Sequence, residues 1–224
     1  MSSVNLNRVF SKYSPDGTCI CLTGRQERDY HHRLRKFMQV LSWNVLFSLP
    51  GSGRKHMTEA YIGLGSNMGD SAAYLSRAVE QIALLPGIRV DAVSSVFHTE
   101  PQGRKEQPWF CNAVARLLCE TIWTPQALLG ELLMLEERMG RIRDPFDRFG
   151  PRVIDIDLLL FGKEAVHISS EPELVLPHPR LHERAFVLMP LHEIAPGLIL
   201  PDGRTVCALL ADLPHRVEED RIYQ

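Results

Sequence analysis

The stretch Val153-Ile154-Asp155-Ile156-Asp157-Leu158-Leu159-Leu160 decides how this chain is read. Its branched and apolar residues specify a strand running from Val153 to Phe161. Side chains two apart on a strand share a face, so Asp155 and Asp157 project together, about 6–7 Å apart along the backbone. Ile154, Ile156 and Leu158 then face a core on the other side. Two like charges in an apolar strand repel each other and lose hydration, so something must compensate them. Mg²⁺ does so economically, because it takes one or two carboxylates together with substrate phosphate oxygens. Arginine partners on a wet sheet face are the plainer alternative.

A 12-residue loop, Gly140 to Pro151, leads into this strand. Arg141, Arg143 and Arg148 lie in it and Arg152 follows it. Arginine keeps its charge and grips phosphate with two parallel hydrogen bonds. Long loops in compact domains often act as lids. A solvated loop balanced by Asp144 and Asp147 would need no function, but a neighbouring metal pair favours phosphoryl chemistry.

Upstream of the loop, Thr124-Pro125 starts a helix with a capping hydroxyl and a proline at the first helical position. Leu128, Leu129, Leu132, Leu133, Leu135 and Met139 give it a broad apolar face, and Gly140 closes it. Ala60–Leu64 reads as a buried strand, and Gly65–Asp70 as a turn. Asp70 or Ser71 caps a helix through Leu75, Ala78, Val79, Ile82 and Leu85, ended by Pro86-Gly87. Ile88–His98 and Asn112–Leu118 read as two strands, antiparallel by their short connection. The order strand-helix-strand-strand-helix-strand predicts an α+β fold, a ferredoxin-like split βαβ sandwich. It would have an antiparallel sheet, helices on one face and a C-terminal helical and loop extension.

Among 224 residues, 25 are Lys or Arg and 27 are Asp or Glu, a net charge of −2. Residues 1–56 alone carry +6 and residues 57–224 carry −8. An acidic body argues against a nucleic-acid binder. Cys19, Cys21, Cys111, Cys119 and Cys207 make neither a C-x-x-C pair nor zinc spacing, so reduced thiols are expected. No apolar run approaches the roughly 20 residues of a membrane helix. Residues 1–56, with the cluster His31-His32-Arg33-Leu34-Arg35-Lys36, are expected to be a disordered extension or a mis-assigned start before Met57. A small appendage and a targeting leader are the other readings. No P-loop, kinase signature or serine-hydrolase elbow is present.

Five ordered motifs resemble the 6-hydroxymethyl-7,8-dihydropterin pyrophosphokinase family over about residues 59–213. They are Ala60–Asn67, Phe97–Pro101, Gln107–Asn112, Gly150–Gly162, and Pro177-His178-Pro179 with Pro190–Pro196. The resemblance implies ATP as co-substrate, two Mg²⁺ ions on Asp155 and Asp157, and attack of the pterin hydroxymethyl oxygen on the β-phosphorus. It implies catalytic roles for Arg141, Arg143 and Arg152. It places Phe110 and Phe186 on either side of the pterin, Asn112 on its edge, and Thr99 and Asn67 beside it. Glu136, Arg152, His178 and Arg184 fall on the ATP side. It also implies a cytoplasmic protein, expected to be a monomer, whose partners are the two small substrates, not nucleic acid or membrane. The chain departs from the family at Phe149, where Trp is common, and at Phe110, where Tyr also occurs. Glu173 and Val175 replace Arg and Thr, and the arginine loop is one residue longer, which leaves Arg148 unplaced. A metal-dependent glycosyltransferase could also use D-x-D, but its nucleotide-binding α/β half is missing. A non-enzymatic module would need basic and aromatic sheet residues.

Overall fold

The computed structural model describes residues 11–13, 19–21, 57–143, 147, 150–163 and 165–224. Arg148, Phe149, Asp144 and the His31–Lys36 cluster lie outside these residues. The chain divides into two compact units, residues 1–53 and 54–224. In the first, β1 (Ser11–Tyr13) pairs antiparallel with β2 (Cys19–Cys21).

The second unit opens with β3 (Met57–Ser66), followed by helix α1 (Ser71–Ala83). Asp70 caps α1 by accepting a hydrogen bond from the Ala73 N–H at 3.1 Å. Next come β4 (Ile88–Val93), β5 (Phe97–Thr99) and β6 (Phe110–Glu120). Helix α2 (Pro125–Arg138) starts at Thr124, whose hydroxyl accepts from the Ala127 N–H at 3.1 Å. Strand β7 (Asp155–Phe161) begins two residues later than the apolar pattern suggests. Then follow β8 (Val166–Ile168), β9 (Leu174–Leu176), a 3₁₀ turn (Leu181–Glu183), α3 (Ala185–Ile194) and α4 (Val206–Asp212). A hairpin of β10 (Arg216–Glu218) and β11 (Arg221–Tyr223) ends the unit.

The expected single strand Ile88–His98 is two strands, β4 and β5, both antiparallel to β6. The break lies at Ser94. Its N–H donates to the Val114 carbonyl, while its hydroxyl accepts from the Val114 N–H at 2.9 Å. A side-chain oxygen thus replaces a backbone acceptor and turns the strand. Across the sheet the order is β10-β11-β5-β6-β3-β7, with β4 also on β6. All pairs are antiparallel except β11 with β5.

Helices lie on both faces, not one as the element order predicts. One core joins Ile62, Leu64, Ala115 and Leu117 of the sheet to Leu75 and Ile82 of α1 and to Leu128 and Leu132 of α2. The other joins Tyr61, Val114 and Leu159 to Leu188 and Leu191 of α3 and to Leu209 of α4. The physical reason is that β3, β6 and β7 are apolar on both faces, so both must be covered.

The β3–β7 ladder slips by one residue. Tyr61 faces Leu160 and Ile62 faces Leu158, so Leu159 has no partner in β3. Leu159 and Leu160 both pack into the second core. The bulge leaves the Leu159 carbonyl to accept the His178 N–H at 2.9 Å, which brings the Pro177-His178-Pro179 segment onto β7 beside the aspartates. Replacing Thr124 by Ala should cost about 1 kcal/mol of stability, read as a lower urea midpoint with an unchanged m-value.

Candidate functional site

Opposite the α1–α2 core, β7 presents Asp155 and Asp157 next to Gly65 and Gly63 of β3. The alternation read from sequence is observed: Ile154, Ile156 and Leu158 are buried in the α1–α2 core. Asp155 is gripped from two sides. One oxygen bonds the Arg141 guanidinium, and the other bonds Nε of Arg152 at 3.0 Å and its Nη2 at 2.9 Å. Asp157 meets Nη1 of Arg184 at 3.3 Å. Burial works to raise both carboxyls. At Asp155, Arg152 and Arg141 together outweigh it and hold the group below the usual carboxylate range. At Asp157, burial and the charge of Asp155 prevail over His178 and Arg184, so its carboxyl is pushed up.

Glu136, at the end of α2, is only 1% exposed. It bonds Arg141 with one oxygen and Arg143 with the other, and accepts the Ile156 N–H at 2.6 Å. A buried carboxylate needs such partners, so Glu136 anchors the start of the arginine loop against β7. A cavity of about 380 Å³ opens here. Glu136, Arg143, Asp157 and His178 line its charged end, and Leu129 and Leu133 its apolar wall. Burial lowers the His178 pKa despite the nearby Asp157.

The second half of the site forms where β3, β5 and β6 end. Asn112 donates from Nδ2 to the Thr99 hydroxyl at 2.7 Å, and both residues are buried. Asn67 receives the Arg152 N–H on Oδ1 at 2.8 Å and donates from Nδ2 to Gln107 Oε1 and the Pro108 carbonyl, both at 3.1 Å. Its amide therefore bonds three protein groups. Gly65 is the residue that sequence reasoning passed over. A Cβ there would sit 2.9 Å from Asn112 Oδ1, closer than real Cβ contacts. Its only signal was its place in the Gly63–Asn67 run, where glycine permits close backbone approach.

Two arginines join the halves. The Arg152 guanidinium bonds Asp155 and also lies 4.8 Å from the centre of the Phe110 ring. Arg184 bonds Asp157 and lies 5.5 Å from the centre of the Phe186 ring. Each aspartate thus shares a cation with one aromatic ring. Arg184 Nε is buried without a partner among the described residues.

The profile of the family described as 7,8-dihydro-6-hydroxymethylpterin-pyrophosphokinase matches residues 61–196. The chain belongs to this family. A 2-amino-4-hydroxy-6-hydroxymethyldihydropteridine pyrophosphokinase of Methylorubrum extorquens is 51% identical over 157 residues, 70% of this chain and 94% of that protein. The Pseudomonas aeruginosa protein of the same name is 42% identical over 154 residues, 69% of this chain and 91% of its own length. Among solved structures, an HPPK-DHPS of Plasmodium falciparum matches with a TM-score of 0.54 at 14% identity. That match covers 76% of this chain and 46% of the longer one, and at this identity it speaks for the α+β fold alone.

This pyrophosphokinase transfers pyrophosphate from ATP to the hydroxymethyldihydropterin, a step of folate synthesis. Among the described residues no helix is long and apolar enough to cross a membrane.

Two outcomes follow from the geometry. Gly65→Ala should displace the Asn112 amide and break its hydrogen bond to the Thr99 hydroxyl, costing about 1 kcal/mol or more, read as a lower Tm with the helices intact by circular dichroism. Asp157→Asn keeps an acceptor for Arg184 and removes a carboxylate whose charged form is disfavoured by the fold. It should raise the Tm of the ligand-free enzyme at pH 7. Because the folded-state pKa of Asp157 lies above its unfolded value, the gain should fade as pH falls through that raised pKa and vanish below the ordinary carboxylate range.

Proposed function

We propose that Asp155 and Asp157 hold two Mg²⁺ ions that neutralise ATP phosphates during the pyrophosphate transfer. Among the described residues no cluster of three or more His, Cys, Asp or Glu side chains forms a metal cage. Two carboxylates on one strand face nevertheless fit Mg²⁺, which takes its remaining ligands from phosphate and water. The observation that carries the reading is that Asp155 and Asp157 stand on one strand face beside the side-chain-free Gly65 and Gly63 of β3, with arginine charge gathered around them.

In this reading the arginines stand where cationic charge is needed before the nucleotide arrives. Arg141 and Arg143, held by Glu136, are poised to grip phosphates, and Arg152 and Arg184 to neutralise them as the bond to the β-phosphorus changes partner. The pterin hydroxymethyl oxygen attacks that phosphorus and AMP leaves. Phosphate binding draws the guanidiniums off Phe110 and Phe186, which frees both ring faces for the pterin. Nucleotide therefore binds first. Asn112 reads the pterin edge with Thr99 orienting its amide. Asn67 braces Arg152 and the Gln107–Pro108 segment, and His178 lies beside the phosphates.

The finer features of the fold belong to the same reading. The first strand of the domain, β3, lies between β7 and β6, with β4 outside β6. That order supports the ferredoxin-like split βαβ arrangement. We take residues 57–224 as the pyrophosphokinase domain and residues 1–56 as a separate extension, supported by the division of the chain near residue 53. A cytoplasmic monomer is part of the same proposal; the buried thiols Cys111 and Cys119, outside any disulfide, support the location alone. Burial pushes the Cys119 thiol up to about 11.

Asp155→Ala and Asp157→Ala should each abolish AMP formation while circular dichroism stays unchanged. Near-wild-type turnover in either variant would exclude the metal assignment. Calorimetric titration should show the pterin binding only after Mg²⁺ and a non-hydrolysable ATP analogue. Tight pterin binding without nucleotide would refute the proposed order.

A further inference from the structure

The C-terminal hairpin lies beyond the family match, which stops at residue 196, yet it pairs with β5 and reaches the segment before β6 and the start of α3. Strand β11 lies parallel to β5 and sets Ile222 against Thr99. The His98 N–H donates to the Asp220 carbonyl at 2.7 Å. Tyr223 packs edge-on against Trp109, the neighbour of Phe110, with ring centres 5.3 Å apart.

Gln224 makes the most specific contacts. Its Oε1 accepts from the Ala185 N–H at 2.9 Å and from Gln102 Nε2 at 3.1 Å. Its Nε2 donates to the Glu183 carbonyl at 2.6 Å. Ala185 is the first residue of α3, where backbone N–H groups have no partner inside the helix. The residue at the capping position, Arg184, makes no side-chain cap bond, because a guanidinium has donors and no acceptor; it donates to Asp157 instead. Gln224 supplies the missing acceptor from a distant part of the chain.

The two residues flanking Ala185 are Arg184 and Phe186. One amide thus fixes the backbone from which Arg184 reaches Asp157 and Phe186 presents its ring. The same amide ties that backbone to Gln102, three residues beyond Thr99. A stacked ring tolerates little error in spacing, since contacts weaken within an ångström.

We propose that Gln224 is a positioning residue for the pterin, holding the start of α3 and the Gln102 loop so that Phe186 and the Thr99–Asn112 edge keep a fixed separation. The proposal rests on the stacking role given above to Phe186.

The test uses the full chain with three substitutions. Gln224→Met keeps the shape and removes all three bonds. Gln224→Glu keeps the acceptor for Ala185 and Gln102. Phe186→Ala removes the ring. Gln224→Met should raise the pterin KM roughly tenfold, the scale of one to two net hydrogen bonds. Its affinity for Mg-ATP should fall by less than its affinity for the pterin, because Arg184 is the phosphate-facing arginine whose backbone Gln224 holds, while Arg141 and Arg152 are held through Asp155. Gln224→Glu should recover most of the lost pterin affinity. An unchanged pterin KM in Gln224→Met would overturn the proposal. So would an equal loss of pterin and nucleotide affinity together with a lower Tm, which marks a purely structural role. If Phe186→Ala raises the pterin KM while Gln224→Met does not, only the positioning role fails. If Phe186→Ala changes nothing, the stacking reading fails as well.

Discussion

Two carboxylates on one face of β7 govern the arrangement around them. Asp155 and Asp157 repel each other and are partly removed from water, so the fold must bring cations to them. Arg141 and Arg152 reach Asp155, and Arg184 reaches Asp157. Those cations come from separate segments: the loop after α2, the entry to β7, and the residue before α3. Each is constrained by something else it touches. Glu136 holds Arg141, the Phe110 ring lies under Arg152, and the Phe186 ring lies under Arg184. The electrostatic demand of two side chains thereby fixes where the aromatic walls can stand.

The same demand explains why the site is not optimised for stability. Asp157 is held in surroundings that disfavour its charge, and Arg184 keeps a buried Nε without a partner among the described residues. Perturbed groups of this kind gather where binding supplies the missing compensation. Elsewhere the unit is packed conventionally. The two apolar cores on either side of the sheet offset the cost of a polar seam at one end of β3, β6 and β7. The bulge at Leu159 connects core and seam, since it seats two leucines in one core and sends its carbonyl to His178.

Much of this was legible before any coordinates. Strict alternation around Asp155 and Asp157 is a local property of a strand, so the shared face of the carboxylates followed from spacing. The cap of α2 followed from Thr124-Pro125, and that of α1 was narrowed to Asp70 or Ser71, because a cap depends on three or four consecutive residues. The split of one strand at Ser94 did not follow, since it depends on a hydroxyl finding Val114 twenty residues away. The helices on the second face were missed because an apolar residue such as Val114 does not declare which face of the sheet it will join.

The sequence by itself determined the main strands and helices as far as Phe161, apart from the split at Ser94, together with the carboxylate pair, the cluster of arginines and the family. These are properties of neighbouring residues or of ordered motifs. Tertiary structure alone decided which arginine meets which aspartate, that Asn67 bonds protein on all sides, that Gly65 must lack a side chain beside Asn112, and that Gln224 caps α3. Each of those depends on a distance between residues far apart in the chain. Such distances exist only once both faces of the sheet are covered and the strands are in register.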